Sequence, residues 1–287
     1  MTTELREAIK EAEQIATEYG IEVRMLTEPY ELAAVETLLC DVWITAHPPL
    51  RAPTLRAMVY SGCYVAGAFS VEDPQRMLGT CIAFFADPGR QELHSHITGV
   101  RSEARGRRVG LALKLHQRAW ALERGVRTIS WTYDPLLRRN ASFNLTHLGA
   151  TAKSYFVDFY GGMHDEINNG ESSDRILVEW DLQSPHGAEI TRRDLSLRHL
   201  IDAGAHRLLV SDENGAPRLL EPAAASSIAL VHTPVSAERM RRADPALSRT
   251  WRLALRSALA PLLATGTWAI TGFTSEEEGW YIVESAQ

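Results

Sequence analysis

The most constraining feature of the sequence is a strand–loop–helix–strand unit between residues 92 and 132. Glu92–Val100 alternates between polar and apolar side chains, which is typical of a strand with one buried face. An arginine-rich loop follows, and then Val109–Arg124, which predicts a helix that ends at Gly125. Val126–Thr132 is rich in β-branched and aromatic residues and predicts another strand. This order predicts a crossover that places two parallel strands in one sheet.

Apolar periodicity along the rest of the chain completes a mixed α/β pattern. Gly, Pro and polar clusters mark the turns between the periodic segments. The further predicted helices are Glu4–Tyr19, Glu31–Ile44, Asn140–Leu148 and Asp244–Ala264, and the further predicted strands are Ile21–Leu26, Gly62–Phe69, Met77–Phe85, Tyr155–Tyr160, Arg175–Trp180, Ala225–His232, Trp268–Thr271 and Trp280–Val283.

A polar stretch that contains proline, Gln183–Gly187, predicts the junction between two domains. Residues 1–185 would form the domain with the crossover, and residues 186–287 would form a C-terminal α/β extension. The extension has the order strand, helix, strand, strand, which favours a degenerate copy of part of the first domain. Trp251, Leu255 and Leu259 lie on one stripe of its long helix and are expected to be buried.

Net charge, the lengths of the apolar runs and the cysteine content exclude several classes of protein. The formal net charge is −6, so we expect no general attraction to nucleic acid. No apolar run approaches the roughly 18 residues of a membrane-spanning helix, and the amino-terminal segment is too highly charged for a signal peptide. The cysteines lack metal or redox spacing, and their odd number argues against a disulfide framework. We therefore expect a cytoplasmic protein without membrane or nucleic-acid partners, and the sequence leaves a homodimer open.

The loop of the crossover has the features of an anion site. From Val100 it reads Val-Arg-Ser-Glu-Ala-Arg-Gly-Arg-Arg-Val-Gly-Leu-Ala-Leu and leads directly into the helix. The first turn of a helix carries unpaired N–H groups and the positive end of the helix dipole, which together bind phosphate. Arg101, Arg105 and Arg107 would add charge-assisted hydrogen bonds. A basic helical turn without a ligand is the alternative interpretation.

This loop resembles the pyrophosphate loop of the GNAT superfamily of acyl-CoA N-acyltransferases, Val-x-Pro-x-x-(Arg/Gln)-x-x-Gly-x-Gly. Val100, Arg105 and Gly110 match the pattern, whereas Ser102 replaces its proline and Arg108 replaces its first glycine. The side chain of Arg108 would lie where the backbone must approach the pyrophosphate.

Four further segments are similar to a narrower bacterial group of GNAT-like proteins. They are Ser95-His96, Trp131–Leu136, Asn140–Asn144 and Asp165–Arg175, and the similarity runs from about residue 22 to about residue 182. The resemblance implies a GNAT fold, with a mixed central sheet, and the transfer of an acyl group to an amine by direct attack on the thioester.

The resemblance also implies the reactants. Acetyl-CoA is the default donor, an N-succinyltransferase that uses succinyl-CoA is a variant, and the acceptor is a small amine or an amino acid. A non-catalytic protein that binds or senses acyl-CoA is the alternative, because Arg108 and Leu145 replace residues that help catalysis in the family.

Residues along the loop and beyond the second strand are expected to bind the acyl-CoA. The backbone at Thr98–Val100, where the strand leaves its neighbour, would hold the thioester oxyanion. The alternative for Asp134 is a turn residue, and the alternative for Asn144 is a solvated helix position. No metal is expected, because the chemistry needs none. The predicted coenzyme A-binding residues are Thr98, Gly99, Val100, Arg101, Arg105, Gly106, Arg107, Arg108, Val109, Gly110, Leu111, Ala112, Asp134, Asn140 and Asn144.

Two histidines on the strand before the loop are the candidate general bases. Glu92, His94, His96 and Thr98 alternate along that strand and should share one of its faces. An imidazole with an ordinary pKa of about 6.5 is suited to remove a proton from an ammonium group. The alternative is that the histidines are buried and simply hydrogen-bonded.

The proton donor to the leaving thiolate is not at the position usual for the family, which holds Leu145. Tyr133 is predicted to replace it, with Tyr155 and Tyr160 as alternatives. The polar segment from Asp165 to Arg175 is long for a hairpin loop and predicts the border of the acceptor site. Its Asp174 and Arg175 could instead brace the loop. The predicted substrate-binding residues are Tyr160, Ser173, Asp174 and Arg175.

Overall fold

The computed structural model of the protein describes residues 2–161, 172–184, 195–222, 226–274 and 279–285. Its contacts divide into two units, the first with residues 2–131 and 181–184, and the second with 132–161, 172–180 and the described residues from 195 onward. The boundary after Trp131 thus falls inside a strand, whose last two residues belong to the second unit. The domains predicted from the sequence, 1–185 and 186–287, are divided at another place and remain a prediction. The predicted junction lies partly outside the described residues.

The first unit contains the predicted crossover on one side of a sheet with the strand order β1-β2-β3-β4-β5. Strands β1 to β4 are antiparallel to their neighbours, and β5 runs parallel to β4. Its elements are α1 (Thr3–Glu18), β1 (Ile21–Met25), α2 (Pro29–Trp43), α3 (Ala52–Tyr60), β2 (Tyr64–Ser70), β3 (Met77–Phe85), β4 (Glu92–Val100), α4 (Val109–Glu123) and β5 (Thr128–Tyr133).

Local sequence explains where these helices begin. Thr2 caps α1 by accepting a hydrogen bond from the backbone of Leu5. A reciprocal capping box between Glu28 and Glu31 starts α2, with Pro29 at a first-turn position that tolerates the missing N–H. Helix α3 was not predicted, because Pro48 and Pro49 precede it and a further proline lies in its first turn, a composition that is typical of a turn.

The helices cover both faces of the first sheet. Helices α2 and α3 pack on one face around a buried apolar cluster, and α4, with α1 beside it, packs on the other. Two glycines of neighbouring strands show how close the helices lie. A Cβ on Gly99 would meet Trp43 of α2 at 3.0 Å, and a Cβ on Gly79 would meet Val109 of α4 at 3.0 Å.

The second unit has a sheet with the strand order β7-β6-β11-β12-β10-β8-β9. The long helix α8 packs across several of its strands, and Trp251, Leu255 and Leu259 are buried, as predicted. Its elements are α5 (Arg138–Ala141), a π-helix at Ser142–His147, β6 (Thr151–Phe156), β7 (Arg175–Asp181), α6 (Leu197–Asp202), β8 (His206–Ser211), β9 (Pro217–Leu219), β10 (Ile228–His232), α7 (Ala237–Ala243), α8 (Pro245–Ala264), β11 (Trp268–Thr274) and β12 (Trp280–Ser285).

Two predictions for this unit were wrong in part. The strand expected at Tyr155–Tyr160 begins and ends earlier, because Asp158 adopts a left-handed conformation with φ of 49° that stops the strand. The helix expected at Asn140–Leu148 is a short α-helix followed by the π-helix. The elements α6, β8, β9 and α7 were not predicted, since each is short and carries little periodicity.

Candidate active site

Strands β4 and β5 are paired only near their amino ends. The described pairing joins Glu92–His94 to Thr128–Ser130, while β4 continues to Val100. Within the described part of β4, the ladder with β5 therefore stops at His94. The carboxyl half of β4 is left with unpaired polar backbone groups on that edge, where a ligand that offers an amide or a carbonyl can bind. The two strands of the crossover thus part beyond His94, which leaves a V-shaped opening between them.

A bulge interrupts β4 on its other edge. Ile82 of β3 pairs with Ile97, but the next residue, Ala83, pairs with Ser95. His96 is therefore the extra residue of a β-bulge, which reverses the sides to which the later side chains project.

The bulge overturns one expectation from the sequence. Thr98 does not share a face with His94 and His96: its Oγ1 lies 3.2 Å from Cys81 Sγ, which in turn accepts a hydrogen bond from Gln117 of α4. Strict alternation along a strand does not hold across the extra residue of a bulge. The two histidines do share a face, since both rings lie against Phe84, with centroids 5.3 Å and 5.7 Å from the phenyl ring.

His94 is oriented by a short hydrogen-bonded chain. Ser130 Oγ donates to Glu92 Oε1 at 2.5 Å and lies 3.3 Å from His94 Nδ1. The serine hydroxyl has one proton, and since this proton goes to the carboxylate, the oxygen can only accept from the imidazole. His94 then carries its proton on Nδ1, and Nε2 is left as a lone-pair acceptor.

Both histidines are held in the neutral form. Burial lowers the pKa of His94, the neighbouring His96 and Lys114 lower it further, and Glu92 opposes them. Burial also lowers the pKa of His96. A neutral imidazole is the form that can take a proton, so this face of β4 can supply a base at neutral pH.

The loop after β4 gives the candidate phosphate site its shape. Arg108 precedes α4 with a φ of 59°, and Gly106 has a φ of 83°. Arg108 thus adopts the left-handed conformation that a glycine would adopt without strain, which explains why the related pattern has glycine there. The side chains of Arg105, Arg107 and Arg108 are exposed, and the first-turn N–H groups of Val109–Leu111 have no acceptor within the helix.

The other residues predicted for this loop have structural contacts. Arg101 donates from Nε to the carbonyl of Met77 at 3.0 Å and from Nη1 to Asp41 Oδ2 at 2.5 Å. Its guanidinium therefore anchors the loop to β3 and α2, and it is a poorer phosphate ligand than the sequence suggested. Val109 and Ala112 are buried against the sheet, so only their backbone can serve a ligand.

In the second unit, Asp134 belongs to a buried ion-pair cluster. Its Oδ2 accepts hydrogen bonds from Arg241 at 2.8 Å and from Arg252 at 3.0 Å, and its Oδ1 accepts from the backbone of Leu136. Burial would raise the pKa of this carboxyl, but Arg252 and then Arg241 outweigh burial and hold it at about 2. These contacts tie α7 and α8 to the turn after β5, which agrees better with the turn-residue alternative than with a pantetheine contact.

Tyr133 and the two predicted asparagines also lie in the second unit. Tyr133 is buried, and burial raises the pKa of its hydroxyl. Asn140 is half-buried on α5, whereas Asn144 is buried on the π-helix, so the alternative of a solvated position does not apply to it. Single π-helical turns are frequent at functional sites.

The predicted acceptor residues are arranged as a brace. Asp174 is fully buried and accepts hydrogen bonds from Arg256 of α8, at 2.8 Å, and from the hydroxyl of Tyr155, at 2.7 Å. Ser173 Oγ accepts from the backbone N–H of Tyr160 at 2.8 Å. Arg175 donates to the carbonyl of Asp174 and lies over the Tyr160 ring, 5.3 Å from its centroid.

Tyr160 itself remains 42% exposed and is the member of that set with the most surface to offer an acceptor. The preceding part of the polar segment, residues 165–171, lies outside the described residues. Within the described ranges, no cluster of three metal-ligating side chains occurs, and no helix has the length and apolar character needed to cross a membrane.

The sequence placed Glu92 on the face of His94 without a role for it, and it did not indicate Ser130 or Lys114. Ser130 and Glu92 orient its imidazole, and Lys114 lies buried behind β4. A parallel register of β4 and β5 would have placed Ser130 beside His94, but nothing in the sequence indicates that a lysine on α4 is buried.

No protein-family model matches the sequence, and no curated protein matches it either. Among similar solved structures, the N-acetyltransferase of Staphylococcus aureus Mu50 is 15% identical, with 57% of this chain and 99% of that chain covered and a TM-score of 0.48. The ribosomal-protein-S18-alanine N-acetyltransferase of Escherichia coli is 14% identical, with 58% and 97% covered and a TM-score of 0.46.

A third similar structure is the ribosomal-protein-S5-alanine acetyltransferase of Vibrio fischeri, which is 12% identical over 58% of this chain and 96% of that chain, with a TM-score of 0.46. The architecture of this chain can be judged on its own features. It has an antiparallel run from β1 to β4, a bulge in β4, a loop–helix crossover and a parallel β5 that parts from β4. By these features, the part of the chain from α1 to β5 has the fold of the GNAT superfamily.

Proposed function

We propose that the protein is an acyl-CoA-dependent N-acyltransferase in which His94 is the general base. One observation carries the proposal: a neutral imidazole, fixed by Ser130 with Nε2 as its acceptor, lies at the point where the pairing of β4 and β5 stops. Acyl transfer to an amine needs a base next to a thioester that is held in such an opening.

The loop residues would hold the donor. The N–H groups of Val109–Leu111 and the positive end of the α4 dipole would bind its pyrophosphate. The exposed guanidinium groups of Arg105 and Arg107 would add charge-assisted hydrogen bonds. Acetyl-CoA is the default donor, and succinyl-CoA is the variant that an arginine near the acyl group would favour.

The transfer follows from these positions. His94 Nε2 takes a proton from the ammonium group of the acceptor, and the resulting amine attacks the carbonyl carbon of the thioester. Backbone N–H groups at Thr98–Val100 stabilise the oxyanion. The carbon–sulfur bond then breaks. We assign the protonation of the thiolate to Tyr133, whose phenolate then takes the second proton from the nitrogen.

The acceptor in this proposal is a small amine or an amino acid. Tyr160 would contact it, with Ser173, Asp174 and Arg175 holding the segment that bears the tyrosine. The cytoplasmic location and the homodimer remain predictions from the sequence.

A non-catalytic acyl-CoA sensor is the second candidate, favoured by one observation. Leu145, at the position of the usual proton donor, is completely buried and has no acidic proton to give. A sensor would bind acyl-CoA without releasing the thiol.

A panel of acyl-CoA donors against a panel of amines tests the proposal, with thiol release and the mass of the product as readouts. The proposal requires thiol release that depends on the amine and an N-acylated product of matching mass. Tight binding of acyl-CoA without release for any amine would support the sensor instead. Gly110→Asp serves as the control that should lose donor binding in either case.

A further inference from the structure

Lys114 is a buried cation directly behind the candidate active strand. Its side chain, on α4, is only 3% exposed. Nζ donates to Ser95 Oγ at 2.7 Å and to Gln117 Oε1 at 3.1 Å, and it lies 4.0 Å from the centroid of the Trp131 ring. Throughout the ranges that the structure describes, no carboxylate forms an ion pair with it.

The surroundings of Lys114 form a closed polar network. Gln117 Nε2 donates to Cys81 Sγ at 3.3 Å, and that sulfur lies 3.7 Å from Ser95 Oγ. Burial lowers the pKa of Lys114 to about 8, so the amine remains mostly charged at neutral pH. A buried ammonium without a counter-ion is costly, and an apolar side chain of similar length would avoid that cost. The fold therefore does not require a charge at this position.

The location of this charge relates it to the transfer site. Ser95, which binds Lys114, lies between His94 and His96 in sequence and next to the bulge in β4. The histidines project from the opposite face of the strand. The ammonium thus lies behind the two histidines, separated from them by the thickness of one strand.

Several groups of the first unit lie around His94, in front of β4 or behind it. Glu92 and His96 come from β4 itself, Lys114 comes from α4, Ser130 from β5, and Phe84 from β3. Of these, the positive charge of Lys114 and the neighbouring imidazole of His96 disfavour a second proton on His94, whereas Glu92 favours it. The serine and the phenyl ring carry no charge.

We propose that Lys114 is a positioning residue of the transfer site, which fixes β4 at its bulge through Ser95 and places a positive charge behind His94. Its relevance to catalysis rests on the proposed function. The coupling between Lys114 and His94 is a property of the free protein and can be measured without substrates.

A histidine NMR titration of the free protein tests the coupling, with the wild type compared with Lys114→Met and Lys114→Arg. The variant without the charge should titrate His94 at higher pH, while Lys114→Arg should leave the midpoint unchanged. His116 is the internal reference: it lies on the same helix beside Tyr64, and its pKa is lowered by burial alone. Its midpoint should not move in either variant.

If a variant does not fold, the NMR titration of the wild type alone still tests the coupling. The His94 resonances should then show a second, smaller step at about pH 8, where Lys114 loses its proton. An unchanged His94 midpoint in Lys114→Met, a parallel shift of His94 and His116, or a wild-type titration without the second step would each overturn the proposal.

Kinetics separate the role of Lys114 from the proposed function. In an active enzyme, Lys114→Met should lower kcat/KM about threefold or more near pH 6 and less than about twofold near pH 8, because the acidic limb moves to higher pH. An equal loss at both pH values would overturn the electrostatic role. A wild type without transfer activity would refute the proposed function, and the NMR result would still decide the coupling.

Discussion

His94 Nδ1 lies 3.3 Å from Ser130 Oγ, across the last paired rung between β4 and β5. The serine that closes the ladder therefore also fixes the tautomer of the candidate base. Beyond this rung the strands part, so the opening begins where the free Nε2 of the imidazole is needed.

Ser130→Ala should lower kcat/KM about tenfold, because His94 loses the acceptor that holds its proton on Nδ1. The affinity for acyl-CoA should be unchanged, since the loop is not touched. Steady-state kinetics and calorimetry measure both quantities. Thr128→Ala, which removes a hydroxyl from the same strand, is the matched control, and an equal loss in the control would contradict the tautomer argument.

His94→Ala should lower kcat/KM by at least about tenfold and flatten the acidic limb of the pH–rate profile. His96→Ala should do less, because among the described contacts only His94 has the orienting serine. Burial lowers the pKa of His94 from the ordinary imidazole value of about 6.5. The activity of the wild type should therefore persist below that pH and should fall as His94 becomes protonated. A larger effect of the His96 variant would assign the base to His96.

Gly110→Asp should weaken the binding of coenzyme A at least about tenfold, because a carboxylate in the first turn of α4 repels the pyrophosphate and occupies its N–H groups. Isothermal calorimetry with coenzyme A is the measurement. Ala119→Asp, a partly exposed position farther along the same helix, is the charge-matched control. Equal affinities of wild type and Gly110→Asp would place the phosphate elsewhere.

Arg108→Gly should keep or raise the affinity for coenzyme A. The residue has a φ of 59°, which glycine adopts without strain, and the change removes a Cβ from the loop. The free energy of unfolding should change by less than about 1 kcal/mol, because relief of strain and the greater entropy of the unfolded chain oppose each other. A clear loss of affinity would show that the Arg108 guanidinium binds a phosphate.

Asp134→Asn should lower the free energy of unfolding by about 3 kcal/mol, because it removes the buried negative charge that pairs with the guanidinium groups of Arg241 and Arg252. The folded-state pKa of Asp134 is about 2, below its unfolded value. Its contribution to stability is therefore present above about pH 4 and is lost as the pH falls toward about 2. Urea titrations between about pH 4 and about pH 2 should show this loss of stability in the wild type and not in the variant.

The exposed Asp202→Asn, on α6, is the control for that experiment. It changes the same functional group outside the cluster and should leave the stability nearly unchanged. A similar loss in both variants would mean that the cluster contributes no specific stability.

Much of the fold could be predicted because it depends on local properties of the chain. The bounds of β3 and β4 agree with those predicted, and α1, α2, α4 and α8 agree to within about two residues. In each case one periodic apolar face and a recognisable start or stop were present. The elements that were missed, among them α3 and β9, are short or begin at proline.

The site was predicted in its outline and not in its contacts. The basic loop before α4, the opening between β4 and β5, and the pair of histidines follow from residue types and their spacing. Residue types and spacing do not predict the bulge at His96, the burial of Lys114 or the ion pairs of Asp134 with Arg241 and Arg252.

The sequence by itself determined which segments are helices and strands, and where a phosphate-binding helix start and two imidazoles occur along the chain. Only the tertiary structure decided that Thr98 turns away from His94, that Ser130 orients the base, and that Asp134 and Asp174 bind arginines of the C-terminal helices. The physical reason is that periodicity and capping act over a few residues. The register of a strand pair, a bulge and a buried charge instead depend on partners that are far away in sequence.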